Sequence, residues 1–161
     1  MSVARILFLV FALLLFFSGP AARAQQPHTL FSAEQEVNLS DDLHYLEELG
    51  GPLTISDVTK RKADFMPYPK SNPNFGFREN GLWLRVSLSN VSEVSDWVIT
   101  INFSQLDKVD FYLVDDGSIK QSHQGKAQTE QIFRIPTMRI SLPDTDAVDL
   151  YVRVESNSSS L

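Results

Sequence analysis

No cysteine occurs in the 161 residues, which excludes disulfide staples, thiol nucleophiles and thiolate metal sites. Extracellular animal domains of this size commonly rely on disulfides, so an exported chain without one fits a bacterial envelope protein. Histidine is almost as scarce: His28, His44 and His123 stand far apart, and none has a metal-ligand spacing such as H-E-x-x-H. Nucleophile elbows and glycine-rich phosphate loops are missing. The acid pairs Asp107/Asp110 and Asp115/Asp116 belong to a strand start and a turn, and glycoside hydrolysis depends on spatial rather than sequential spacing. The chain therefore reads as a non-enzyme with no cofactor and no metal.

Long apolar runs are lacking too. The one candidate, Ile6 to Phe17, falls short of the roughly 20 residues a spanning helix needs. It follows Arg5 and precedes Ala22-Arg23-Ala24, the pattern of a secretory signal (residues 1–24) cleaved before Gln25, with a membrane anchor as the alternative. Basic residues are few: Lys+Arg number 14 against 20 Asp+Glu, and loss of Arg5 and Arg23 with the signal leaves 12 against 20, a net charge of −8. That sign argues against nucleic acid or an anionic membrane surface as a partner. The expected compartment is the periplasm.

Residues 25–38 form a polar leader or a first edge strand. Ser40 to Leu49 reads as a short helix, with Ser40 as cap, Leu43, Leu46 and Leu49 at near-helical spacing and Gly50-Gly51 as the stop. Thr54 to Asp57 is a capping box that can open another turn through Lys62. Prolines 67, 69 and 73 mark an irregular crossing that ends at the turn-forming Asn80-Gly81.

Beyond Gly81 the period becomes two. The predicted inward residues are Leu82, Leu84, Val86 and Leu88, then Trp97, Ile99, Ile101 and Phe103, then Val109, Phe111 and Leu113, then Met138, Ile140 and Leu142, and finally Leu150, Val152 and Val154. Asp115-Asp116-Gly117 is a hairpin turn. At least five half-buried strands without crossover helices imply an all-β, antiparallel jelly roll or β-sandwich with a short helical N-terminal preface. The domain is expected over residues 39–156, with 157–161 as a linker or a truncated continuation.

The outward positions carry Trp83, Arg85, Thr100, Asn102, Asp110, Tyr112, Arg139, Tyr151 and Arg153. If these strands share a sheet, the face gathers three aromatic rings among arginines and short polar groups. Flat rings stack on the C–H faces of sugars, while Arg, Asp and Asn meet the hydroxyls. Two other readings stand beside this one. The face could serve a protein partner, since interfaces are rich in aromatics and Arg. Alternatively, the charges could simply pair across strands while Trp83 closes a second small core under the helical preface.

The segments DLHYLEELGGPLTISDV, NFGF, GLWLRVSLSN, LDKVDFYLVDDG, FRIP and LYVRVES, in that order from Leu39 to Ser156, resemble the type 2 extracellular domain of bacterial seven-transmembrane receptors with diverse intracellular signalling modules. The resemblance implies a jelly-roll sensor in the periplasm, ahead of seven membrane helices and a cytoplasmic output, and its matching positions are Trp83, Arg85, Tyr112, Arg134 and Arg153. The function expected is recognition of a small carbohydrate-like ligand by Trp83, Arg85, Asp110, Tyr112, Arg134, Arg139, Tyr151 and Arg153. Occupancy would pass to a membrane-embedded signalling region of the same chain, tethered to the inner membrane. The alternative is an interaction or homodimerisation module without a small ligand.

Overall fold

The computed structural model describes residues 26–31, 36–69, 73–75, 78–102, 106–125, 135–142 and 145–156. The proposed signal, Phe103 and Arg134 lie outside them. The strands are β1 (His28–Leu30), β2 (His44–Glu47), β3 (Met66–Pro67), β4 (Leu82–Asn90), β5 (Asp96–Thr100), β6 (Lys108–Asp115), β7 (Ser118–Gln124), β8 (Thr137–Ser141) and β9 (Thr145–Glu155). The α-helix is α1 (Ile55–Lys60).

One sheet runs in the order β3-β2-β4-β9-β6-β7, with β1 added parallel to the far half of β4; β5 and β8 form a second, two-stranded sheet. All other pairings are antiparallel, so the expected all-β sandwich is the fold observed. Its main core lies between the sheets. Val86 and Leu88 of β4, Val109, Phe111 and Leu113 of β6, and Val148 to Val154 at alternate positions of β9 meet Met138 and Ile140 of β8, with Trp97 and Ile99 of β5 half-buried beside them. Apart from Val148, which extends the alternation of β9 by two residues, these are residues that the period of two predicts as inward.

The segment from Ser40 to Leu49 is not a helix. Leu39–Asp42 makes a single 3-10 turn, capped by Asn38, whose Oδ1 accepts from Ser40 N at 3.0 Å. The chain then extends into β2 against β4, with Leu46 opposite Trp83. A spacing of three satisfies a helix, but each leucine serves a different environment here: Leu43 joins the main core, Leu46 packs on the opposite face of the sheet and Leu49 stays 79% exposed. Pairing with β4 satisfies the backbone of this segment and overrides the local pattern.

The Thr54 box does form. Thr54 Oγ1 accepts from Asp57 N at 3.3 Å, and Asp57 Oδ2 accepts from Thr54 N at 2.8 Å. The Thr54 hydroxyl also donates to that carboxylate, holding the Asp57 carboxyl below its ordinary range. The helix ends at Lys60 and continues as a 3-10 turn over Lys62–Asp64.

The β6–β7 hairpin turns on Asp116 (φ 39°) and Gly117 (φ 86°), the positive angles of a two-residue turn that matches strand twist. Gly117→Ala forces a Cβ into that conformation and is expected to cost about 1 kcal/mol, read as a lowered urea midpoint. An unchanged midpoint would show that this turn is not kept in solution. Strand β7 itself was not legible in the sequence, because SIKQSHQ has no apolar alternation; it is a largely exposed strand paired to β6.

Candidate functional site

Pleating and register bring six of the eight expected site residues to one face of the large sheet. Trp83 lies opposite Arg153 and Arg85 opposite Tyr151 across β4 and β9, while Asp110 lies opposite Arg153 and Tyr112 opposite Tyr151 across β6 and β9. Arg139 is not among them. It sits on β8 in the second sheet, opposite Val98, and is exposed. Arg134 lies outside the described residues.

The rings do not form an open platform. Trp83 and Tyr151 are 0% exposed and Tyr112 is 9% exposed. Leu46, Val58 of α1 and Phe65 cover them in a second core, with Trp83 stacked on Tyr112 at 5.6 Å between centroids and Phe65 edge-on to Tyr151 at 5.8 Å. The stacking expected of Trp83, Tyr112 and Tyr151 requires a free ring face, and α1 and the turn after it occupy that space. A protein partner on the same rings is blocked for the same reason. The alternative of a second small core under the helical preface is the arrangement seen.

Around these rings the charged groups pair. Asp149 accepts from Arg85 Nη2 at 2.9 Å and Nε at 3.2 Å on one oxygen, and from Lys62 Nζ at 2.6 Å on the other, tying the turn after α1 to β9. Asp110, buried, bonds His123 Nδ1 at 2.7 Å and Lys108 Nζ at 3.1 Å. The Tyr151 hydroxyl is buried without a hydrogen-bond partner among the described residues. Burial first, then the Asp149 charge, push it up to about 12; Arg85 offsets part of this, though none of its N–H groups reaches hydrogen-bond geometry with the hydroxyl. Burial and the Asp110 charge likewise raise Tyr112.

The most buried ion pair among the described residues joins Glu48 to Arg153. Arg153 Nε and Nη2 donate to the two carboxylate oxygens, each at 2.7 Å, and Trp83 Nε1 and Leu53 N donate to Oε1 at 2.7 and 3.0 Å. Burial alone would raise the Glu48 carboxyl, but the Arg153, Leu53 and Trp83 donors outweigh it and hold it below the usual range. The Glu48 partnership raises Arg153 in turn, and Arg153 Nη1 also pairs with Glu155. Gly81 closes over the pair. A Cβ there would press on Glu48 Oε2 and Arg153 Nη2, so any other residue has to push these side-chain ends aside.

Beside this pair opens a cleft of about 300 Å³, lined by Glu48, Gly51, Pro52, Arg78, Glu79, Asn80, Gly81, Arg153, Glu155 and Ser156. Arg78 reaches across to Glu47 Oε2 at 2.5 Å. Of the expected site residues that the structure describes, Arg153 alone lines it. The rest of the lining comes from the loop after β2, the loop before β4 and the end of β9. Glu48 was concealed by the helical reading of its segment, although His44, Leu46 and Glu48 keep a period of two. Gly81 was visible only as a turn residue. Among the described residues, no group of three or more His, Asp or Glu is arranged to hold a metal.

An all-β sandwich, sealed by a helix on one face and opening a polar cleft at one end of its main sheet, has the build of a binding or sensory domain. Residues 40–161 match the family model described as 7TMR-DISM extracellular 2, and the chain belongs to that family. It is thus an extracellular, sensor-type domain of seven-transmembrane receptors that carry intracellular signalling modules, exposed to the periplasm. Comparison with curated proteins gives no match. No helix among the described residues is long and apolar enough to cross a membrane.

Proposed function

We propose that this domain senses a small, carbohydrate-like ligand in the cleft beside the Glu48–Arg153 pair. Occupancy passes through the end of β9 to a membrane-embedded signalling region of the same polypeptide, which tethers the domain to the inner membrane. The observation that carries this reading is the convergence of three chain segments on one polar cleft: the loop after β2 (Gly51, Pro52), the loop before β4 (Arg78 to Gly81) and the last residues of β9 (Arg153, Glu155). A ligand that bridges them favours whichever arrangement of the three it binds best, by no more than its difference in affinity between arrangements. Planar donors and acceptors on Arg78, Glu79, Asn80 and Glu155 suit hydroxyl groups, and recognition rests on these polar contacts rather than on ring stacking.

The test is a panel of neutral and charged sugars in a thermal-shift assay on the domain and on Asn80→Ala. A sugar at a hundred times its Kd stabilises by about 2.7 kcal/mol, a shift of several degrees. Asn80 is exposed, so the substitution is expected to leave the unliganded midpoint within about 0.5 kcal/mol of wild type and to weaken binding about tenfold. No shift from any sugar, or full binding by Asn80→Ala, would overturn the reading.

A further inference from the structure

We infer that the cleft selects its ligand by charge, taking sugars that bear a protonated amine and disfavouring acidic sugars. The inference rests on the cleft being the sensing site. Both guanidinium groups in its lining are already matched: Arg153 is held through Nε and Nη2 by Glu48, and Arg78 by Glu47. Glu155 therefore shares, through Nη1, a cation that another carboxylate has neutralised. Glu79 is exposed and has no ion-pair partner among the described residues. Two carboxylates at the mouth are thus left in excess, with the Glu155 side chain 36% exposed and within reach of a ligand.

A ligand carboxylate would have to displace Glu48 or Glu155 from Arg153, and removing the buried Glu48 leaves its donors Trp83 and Leu53 unsatisfied. An ammonium group displaces nothing: it offers three donors to carboxylate oxygens that face solvent. The acidic balance of the chain, 20 Asp+Glu against 14 Lys+Arg, adds an attraction of the same sign at long range.

Binding of glucosamine, glucose and glucuronate at low salt, measured by calorimetry on wild type and Glu79→Gln, tests this. Glucosamine is expected to bind most tightly and glucuronate most weakly, about fivefold apart or more, with the gap at least halved by Glu79→Gln and by added salt. Glucuronate binding as tightly as glucosamine, or a preference that Glu79→Gln leaves intact, would overturn the inference while the sensing reading stands. Failure of all three sugars to bind overturns the inference, and failure of the whole panel removes the sensing reading as well.

Discussion

Trp83→Ala is expected to destabilise the domain by about 3–5 kcal/mol, the range for truncating a fully buried indole. The side chain is 0% exposed, stacks on Tyr112 and donates Nε1–H to Glu48 at 2.7 Å. Truncation opens a cavity beneath α1 and removes one of the donors that make Glu48 tolerable as a buried anion. Trp83→Phe separates the two losses. It keeps much of the volume and removes the N–H, so about 1–3 kcal/mol is expected from losing one of three donors to the buried carboxylate oxygen, which keeps Arg153 Nε and Leu53 N. Urea unfolding followed by circular dichroism measures both, and Trp97 remains as a fluorescence reporter. A Trp83→Ala protein with an unchanged midpoint that had lost only sugar binding would restore the stacking platform and dissolve the second core.

That outcome bears on what a period of two can and cannot reveal. Parity told which side of the sheet each residue of β4, β6 and β9 occupies, and the antiparallel register then placed Trp83, Arg85, Asp110, Tyr112, Tyr151 and Arg153 together. It is silent about what lies above that side. The cover is α1, whose capping box is local chemistry and was legible; its docking on the rings is a long-range packing choice and was not. Arg139 shows the same limit from another direction. Its outward parity was read correctly, but strand pairing places β8 in the other sheet. The cleft was least accessible of all, since Glu48 and Arg153 lie 105 residues apart and meet only once β2 is known to be a strand. The leucine spacing of that segment favours a helix, and pairing with β4 overrides it.

Removing one partner of the Glu48–Arg153 pair is expected to cost about 3–5 kcal/mol, because the other stays buried without its counter-charge. The two residues are 4% and 8% exposed, so water cannot replace the lost partner without rearrangement. Glu48→Ala leaves Arg153 with Glu155 alone at the cleft; Arg153→Ala leaves the Glu48 anion to the N–H groups of Trp83 and Leu53. The double variant Glu48→Ala/Arg153→Ala is expected to be more stable than the sum of the single losses predicts, since neither charge remains to be desolvated. The pair also sets an acid limit. The Glu48 carboxyl lies lower in the fold than its ordinary 4.5, so between the two values the unfolded chain binds more protons. Its contribution is then fully present above about pH 4.5 and fades as the pH falls through the lower, folded value. Urea midpoints from pH 7 down to pH 3 should therefore decline more steeply for wild type than for Glu48→Gln, which has no carboxyl to protonate at that position. Parallel acid limbs, together with additive losses in the double variant, would mean that the two side chains are not coupled and that the floor of the cleft is held by something else.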